Sequence, residues 1–123
     1  MLKIDHTLSE TISAKALTIS IESIGLPAMQ CRYSSLEEKE SQEIVLRFSF
    51  VCGVLSAMSF EENYEDAVGI LYPNASEDIF NLASAVILEL ESVPKDLRLI
   101  EINRAFELGE KWAASDIVLD FVR

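Results

Sequence analysis

Apolar residues along this chain recur mainly at the three-and-four spacing of helices, with little of the alternation that marks strands. From Thr7 to Ile24, Leu8, Ile12, Ala16 and Ile19 share one helical face. Leu17, Ile19 and Ile21 also alternate with polar neighbours as in a strand, but the longer period predicts a helix. Ser35 and Glu38 then match a capping box, in which each side chain satisfies the other's backbone N–H, so a long helix is expected to follow. Its first two turns are polar (Glu37, Glu38, Lys39, Glu40, Gln42, Glu43), whereas Ile44 to Met58 is apolar on nearly every side. Such a helix enters the core as it proceeds, with Arg47 the exception in its apolar half.

Ser59 and Glu62 form a second possible capping box for a helix running toward Tyr72. Ser76 is a good N-cap for a fourth helix, with Glu77 and Asp78 in its first turn and Ile79, Leu82, Ala83, Val86, Ile87 and Leu90 on one stripe. After Pro94, Asp96 can cap a fifth, with Leu99, Ile102, Phe106, Gly109 and Ala113 on one side. Ile117, Val118, Phe121 and Val122 suggest a short terminal element beyond Ser115. Turn signals at Gly25-Leu26-Pro27, Tyr72-Pro73-Asn74-Ala75-Ser76 and Val93-Pro94-Lys95-Asp96 separate these lengths. The expected fold is all-α, a compact single-domain bundle of five or six helices over residues 1–123. A chain of this size buries roughly two thirds of the surface exposed when unfolded. Half of its residues are apolar, so neither disulfides nor metal are needed for folding. Phe60, Phe80 and Trp112 are assigned to the core.

Charge changes the picture. The 47 residues between Arg47 and Lys95 contain no Lys or Arg but eight acids: Glu61, Glu62, Glu65, Asp66, Glu77, Asp78, Glu89 and Glu91. With a net charge of −11, the protein would be repelled by a phosphate backbone, which argues against nucleic-acid binding. Acids at helix N-termini have a structural use, because they complement the helix dipole. The missing basic counterpart points further, since uncompensated repulsion weakens a compact state unless something gains from the field. A cationic protein partner is the natural beneficiary. The densest part, Phe60 to Asp66, interleaves two aromatics with four carboxylates, and Tyr64 within it offers a rigid amphipathic ring suited to anchoring an interface. The candidate partner-binding set is Glu61, Glu62, Tyr64, Glu65, Asp66, Tyr72, Glu77 and Asp78.

Catalytic chemistry finds little support. The one histidine, His6, sits near a terminus, and Cys31 and Cys52 have no Cys or His companions at zinc-ligand spacing. Cys52 lies in the apolar run and reads as a small core residue. The four glycines are isolated, so there is no phosphate-binding loop or dinucleotide fingerprint. Neither a calcium-wrapping Asp-x-Asp-x-Asp-Gly loop nor the Glu-x-x-His of di-iron sites occurs. The expectation is a binding protein without catalytic residues, metal or cofactor. The apolar run from Phe48 to Met58 is about half a membrane span, and the N-terminus does not have the pattern of a signal peptide, so a cytoplasmic, membrane-free protein is expected.

In its whole-chain profile of small size, acidity, helicity and the carboxylate-aromatic segment from Phe60 to Tyr72, the chain resembles the immunity proteins of bacterial contact-dependent and polymorphic toxin systems. No diagnostic motif carries this resemblance. It implies binding to a cognate basic toxin domain, most readily a nuclease, with Glu61, Glu62, Glu65 and Asp66 occupying the groove that holds substrate phosphates. The alternative is an acidic cytoplasmic secretion chaperone that binds an effector segment. Such chaperones are usually dimeric and mixed α/β, and the 17–21 alternation and an extended 117–122 terminus would suit one. The sequence leaves the oligomeric state open.

Overall fold

The structure, a computed structural model, describes residues 6–19, 38–58, 65–98 and 100–117; at 6, 38–42, 65, 66, 116 and 117 the description covers the backbone alone. Five α-helices account for most of these residues: α1 (His6–Ala16), α2 (Glu38–Ala57), α3 (Glu65–Leu71), α4 (Glu77–Ser92) and α5 (Ile100–Trp112). A 3₁₀ turn, Lys95–Leu97, joins the last two, and a π-helical turn, Ala113–Ile117, continues α5. There is no strand among the described residues, so the all-α expectation holds.

The apolar half of α2 is the axis of the molecule. Ile44, Val45, Leu46, Phe48, Phe50, Val51, Cys52, Val54 and Leu55 are each at most 3% exposed. A helix buried on every side must be surrounded, and α1, α3, α4 and α5 all pack on α2. The buried hydroxyl of Ser49 is satisfied within the helix, donating to the Val45 carbonyl at 2.8 Å. Arg47, partly exposed, reaches the Glu43 carboxylate and the Leu17 carbonyl, each at 3.5 Å, and links α2 to the end of α1.

The stripes expected on the outer helices are the buried ones. Leu8, Ile12, Ala16 and Ile19 face the core from α1 and the turn after it, and Leu82, Ala83, Val86 and Leu90 face it from α4. Ile79 and Ile87 pack at the edge of the α4 contact. One core cluster joins all five helices.

Two element boundaries differ from expectation. The first helix ends at Ala16, short of Ile24: the Thr18 hydroxyl donates to the Lys15 carbonyl at 2.6 Å, and the Thr18 and Ile19 N–H groups close tight turns onto Lys15 and Ala16. Leu17 is therefore exposed beside buried Ile19 through turn geometry, without a strand; residues 20–24 lie outside the described set. Asp96 does not cap the fifth helix, because it sits inside the 3₁₀ turn and α5 starts only at Ile100. Asn103 instead ties that turn to α5 by donating to the Lys95 carbonyl at 2.6 Å. Beyond Trp112 the chain continues directly into the π turn, which takes in Ile117; Val118, Phe121 and Val122, the rest of the expected terminal element, lie outside the described residues. Ser35, Ser59, Phe60 and Glu62, proposed for caps and core, also lie outside the described residues.

The closest packing joins α2 to α5. A methyl group built on Gly53 would fall on the carbonyl oxygen of Phe106, and one built on Gly109 would fall on the carbonyl oxygen of Phe50, 3.0 Å from the Val54 nitrogen. Each glycine thus meets the other helix's backbone. Small residues continue this register every fourth position, with Ser49, Gly53 and Ala57 on α2 and Ala105, Gly109 and Ala113 on the opposing face. Rows at i±4 form the ridges by which helices interlock, and small residues there let the axes approach. Phe50 and Trp112 pack their rings beside the crossing, centroids 5.6 Å apart.

Substitution by alanine should therefore change sign with position. Gly53→Ala and Gly109→Ala place carbon against main-chain atoms that cannot rotate away, and each is expected to destabilise by about 1–3 kcal/mol. Gly69→Ala, in α3 with nothing within 4 Å of the added carbon, should stabilise by about 0.5–1 kcal/mol through helix propensity. Urea denaturation midpoints of the three variants check this; equal stability of all three would contradict the close crossing.

Candidate functional site

Of the residues expected to meet a partner, Glu77 and Asp78 are the ones whose side chains are placed and fully presented. Both are exposed in the first turn of α4, where the Ser76 hydroxyl accepts from the Ile79 N–H at 3.4 Å. Glu65 and Asp66 open α3, and Glu77 follows the far end of that helix through the Tyr72–Ser76 turn, closed by the Ala75 N–H on the Tyr72 carbonyl. Tyr72 is half-buried with its ring 5.2 Å from that of Phe48, so most of its contact serves the core. Glu61, Glu62 and Tyr64 lie outside the described residues.

Both ends of α4 are fixed. Beyond the Ser76 cap, the Arg98 guanidinium donates to the carbonyls of Leu90 (2.7 Å) and Val93 (2.8 Å), satisfying acceptors that a helix C-terminus leaves open. Lys95, the other cation at this end, pairs with Glu107 at 3.1 Å. The first two cations after the basic-free run are thus engaged in holding the turn to its neighbouring helices. Glu91 is exposed on α4 and Glu89 is buried.

Phe80 corrects the sequence reading. Assigned to the core, it is 53% exposed, because it stands a quarter turn away from the buried stripe of α4. Leu88, on the side opposite that stripe, is 63% exposed. Sequence reasoning missed Leu88, although the phase of the stripe would have found it. The outer face of α4 therefore reads Glu77, Phe80, Ser84, Leu88, Glu91, apolar in the middle and acidic at each end.

A second feature is a cleft of about 390 Å³ lined by Lys15, Thr18, Ile19, Leu108, Lys111, Trp112 and Ser115. Its lysines sit in the last turns of α1 and α5, where cations complement the negative end of the helix dipole. Trp112 is half-buried against the core, in keeping with its expected role. The polar groups of the cleft include the two lysine ammonium groups and the hydroxyls of Thr18 and Ser115. Cys52, wholly buried, is a poor nucleophile: burial pushes its thiol pKa far up, and the Glu91 carboxylate adds a smaller push in the same direction. No group of His, Cys, Asp or Glu among the described residues could hold a metal ion, and no described helix is long and apolar enough to cross a membrane.

No family model, curated protein or solved structure matches this chain.

Two outcomes follow from these environments. The folded state holds Cys52 neutral, so its contribution to stability is complete below the ordinary thiol pKa of 9.0 and is lost as pH rises above it, when only the unfolded thiol ionises. The loss approaches about 1.4 kcal/mol per pH unit. In a Cys31→Ala background, denaturation from pH 8 to 10.5 should show this slope, and Cys52→Ala should flatten it. Ser76→Ala should cost about 0.5–1 kcal/mol, since the cap bond is long, as read from the urea midpoint.

Proposed function

We propose that the protein is an immunity protein, which binds a cognate basic toxin domain, most readily a nuclease, and blocks its active site with an acidic surface. The observation that carries this reading is the outer side of α4, where Glu77, Asp78 and Glu91 are exposed on a helix without a single cation. Carboxylates held on a rigid helix set up a field that accelerates encounter with a positive surface and can occupy sites that would otherwise hold phosphates. The stretch continues by chain through Glu65 and Asp66 into Glu61 and Glu62. On this reading the protein acts in the cytoplasm, where a toxin reaches its target, and needs no cofactor.

The secretion-chaperone alternative drew on extended segments at 17–21 and 117–122. Leu17 lies in a turn and Ile117 ends a π-helical one, so nothing described at those points favours it.

The test is capture from native lysate with the tagged protein, elution by rising salt, and expression of each captured basic protein alone and with this one. The expected result is a protein that arrests growth alone and is neutralised on co-expression. Reversal of Glu61, Glu62, Glu65 and Asp66 to Lys should abolish neutralisation and leave the helical circular dichroism unchanged. Neutralisation that survives reversal of these four and of Glu77 and Asp78 would contradict the acidic surface. Recovery of an unfolded effector segment instead would favour the chaperone.

A further inference from the structure

Among the described residues five large apolar side chains are strongly exposed, and four of them, Phe80, Leu88, Leu97 and Ile100, fall within residues 80–100. The two on α4 lie on one line with Ser84 between them, at i, i+4 and i+8, so that a small residue makes a notch between two apolar knobs about 12 Å apart. Glu77 and Glu91 close the line at its two ends, each seven residues from Ser84. Isolated exposed apolar residues mean little; a knob, notch and knob bounded by like charge on a doubly capped helix is a contact surface of defined chemistry.

We propose that this face of α4 receives a basic amphipathic helix of a partner protein. An apolar residue of that helix fills the notch at Ser84 between Phe80 and Leu88, and Lys or Arg about one and two turns to either side meet Glu77 and Glu91. The reading deepens the proposed function, resting on it for the partner's basic character and adding the apolar anchor. A helix is the fitting occupant because α4 offers no backbone edge for strand addition, and side chains at helical spacing interlock best with ridges of the same period. A second copy of this chain is the poorer fit. A two-fold axis through Ser84 would set Phe80 over the copy's Leu88, but it would also set Glu77 over the copy's Glu91 at both ends, with no Lys or Arg in either helix to separate them. Charge complementarity selects a cationic partner.

The probe is a synthetic 14-residue Leu/Lys peptide of amphipathic helical pattern, compared with a scrambled peptide of equal composition and with a Leu/Glu peptide of the same pattern, all followed by fluorescence anisotropy at low salt. The amphipathic Leu/Lys peptide should bind at least tenfold more tightly than the scrambled one, and the Leu/Glu peptide should not bind. Phe80→Ser and Leu88→Ser should each weaken binding at least fivefold with unchanged circular dichroism, as both side chains are exposed, and Glu77→Gln with Glu91→Gln should lower both affinity and its salt dependence. Equal binding of patterned and scrambled basic peptides, untouched by Phe80→Ser and Leu88→Ser, would overturn the apolar anchor and leave the acidic-surface reading standing. Absence of binding by every basic peptide would overturn both. Light scattering that finds a dimer dispersed by Leu88→Ser would overturn the proposal in favour of a second copy.

Discussion

Main-chain contact between α2 and α5 at Gly53 and Gly109 is the constraint on which the rest of the structure hangs. Neither position has room for a β-carbon, because the Phe106 and Phe50 carbonyls already occupy that space. Two glycines opposed in this way bring the axes closer than side chains would allow, and set the register in which Ala105 and Ala113 are buried against α2. Trp112 then reaches Phe50 at the end of the contact. Glycine in mid-helix is unfavourable in isolation, so its use at both points of contact means that packing gained across the crossing outweighs propensity lost within each helix.

From that crossing the outer layer follows. With α5 covering one side of α2, the remaining sides are left to α1, α3 and α4, each of which buries an apolar stripe. Polar contacts fix the joints: Arg47 to the end of α1, Arg98 to the end of α4, and Asn103 and Glu107 to the turn before α5. The cations at these joints act as structural fasteners. As a result α4 is held at both ends while its outer face keeps its carboxylates and two apolar side chains in water.

Much of this fold is legible in the sequence because burial imposes a period. The buried stripes of α1 and α4 and the all-round apolarity of α2 are direct projections of position in the core. What the period does not reveal is which helix lies against which. Gly53 reads as a break in an apolar run and Gly109 as one member of a stripe, yet small residues at 49, 53 and 57 and at 105, 109 and 113 together carry the crossing. Phe80 shows the opposite error: residue type suggested burial, while its phase on α4 placed it outside the stripe. The helix starting at Ile100 was misplaced because Asp96 has the chemistry of a cap but falls in a tighter turn. For the candidate site, the acids at 77 and 78 are legible from composition and from the Ser76 cap, whereas the apolar centre of that face comes into view only with the orientation of the helix.

On the proposed reading, the outer face of α4 would link fold to function through rigidity: charge at fixed positions would steer a partner, and apolar knobs beside it would hold what has been steered. The most direct test of that claim is a ¹H–¹⁵N chemical-shift titration of the labelled protein with the salt-eluted basic partner. Perturbations concentrated along Glu77–Glu91 and at the acidic start of α3 are predicted, with the Lys15 and Lys111 cleft silent. Perturbations centred on that cleft, with α4 unmoved, would contradict the account.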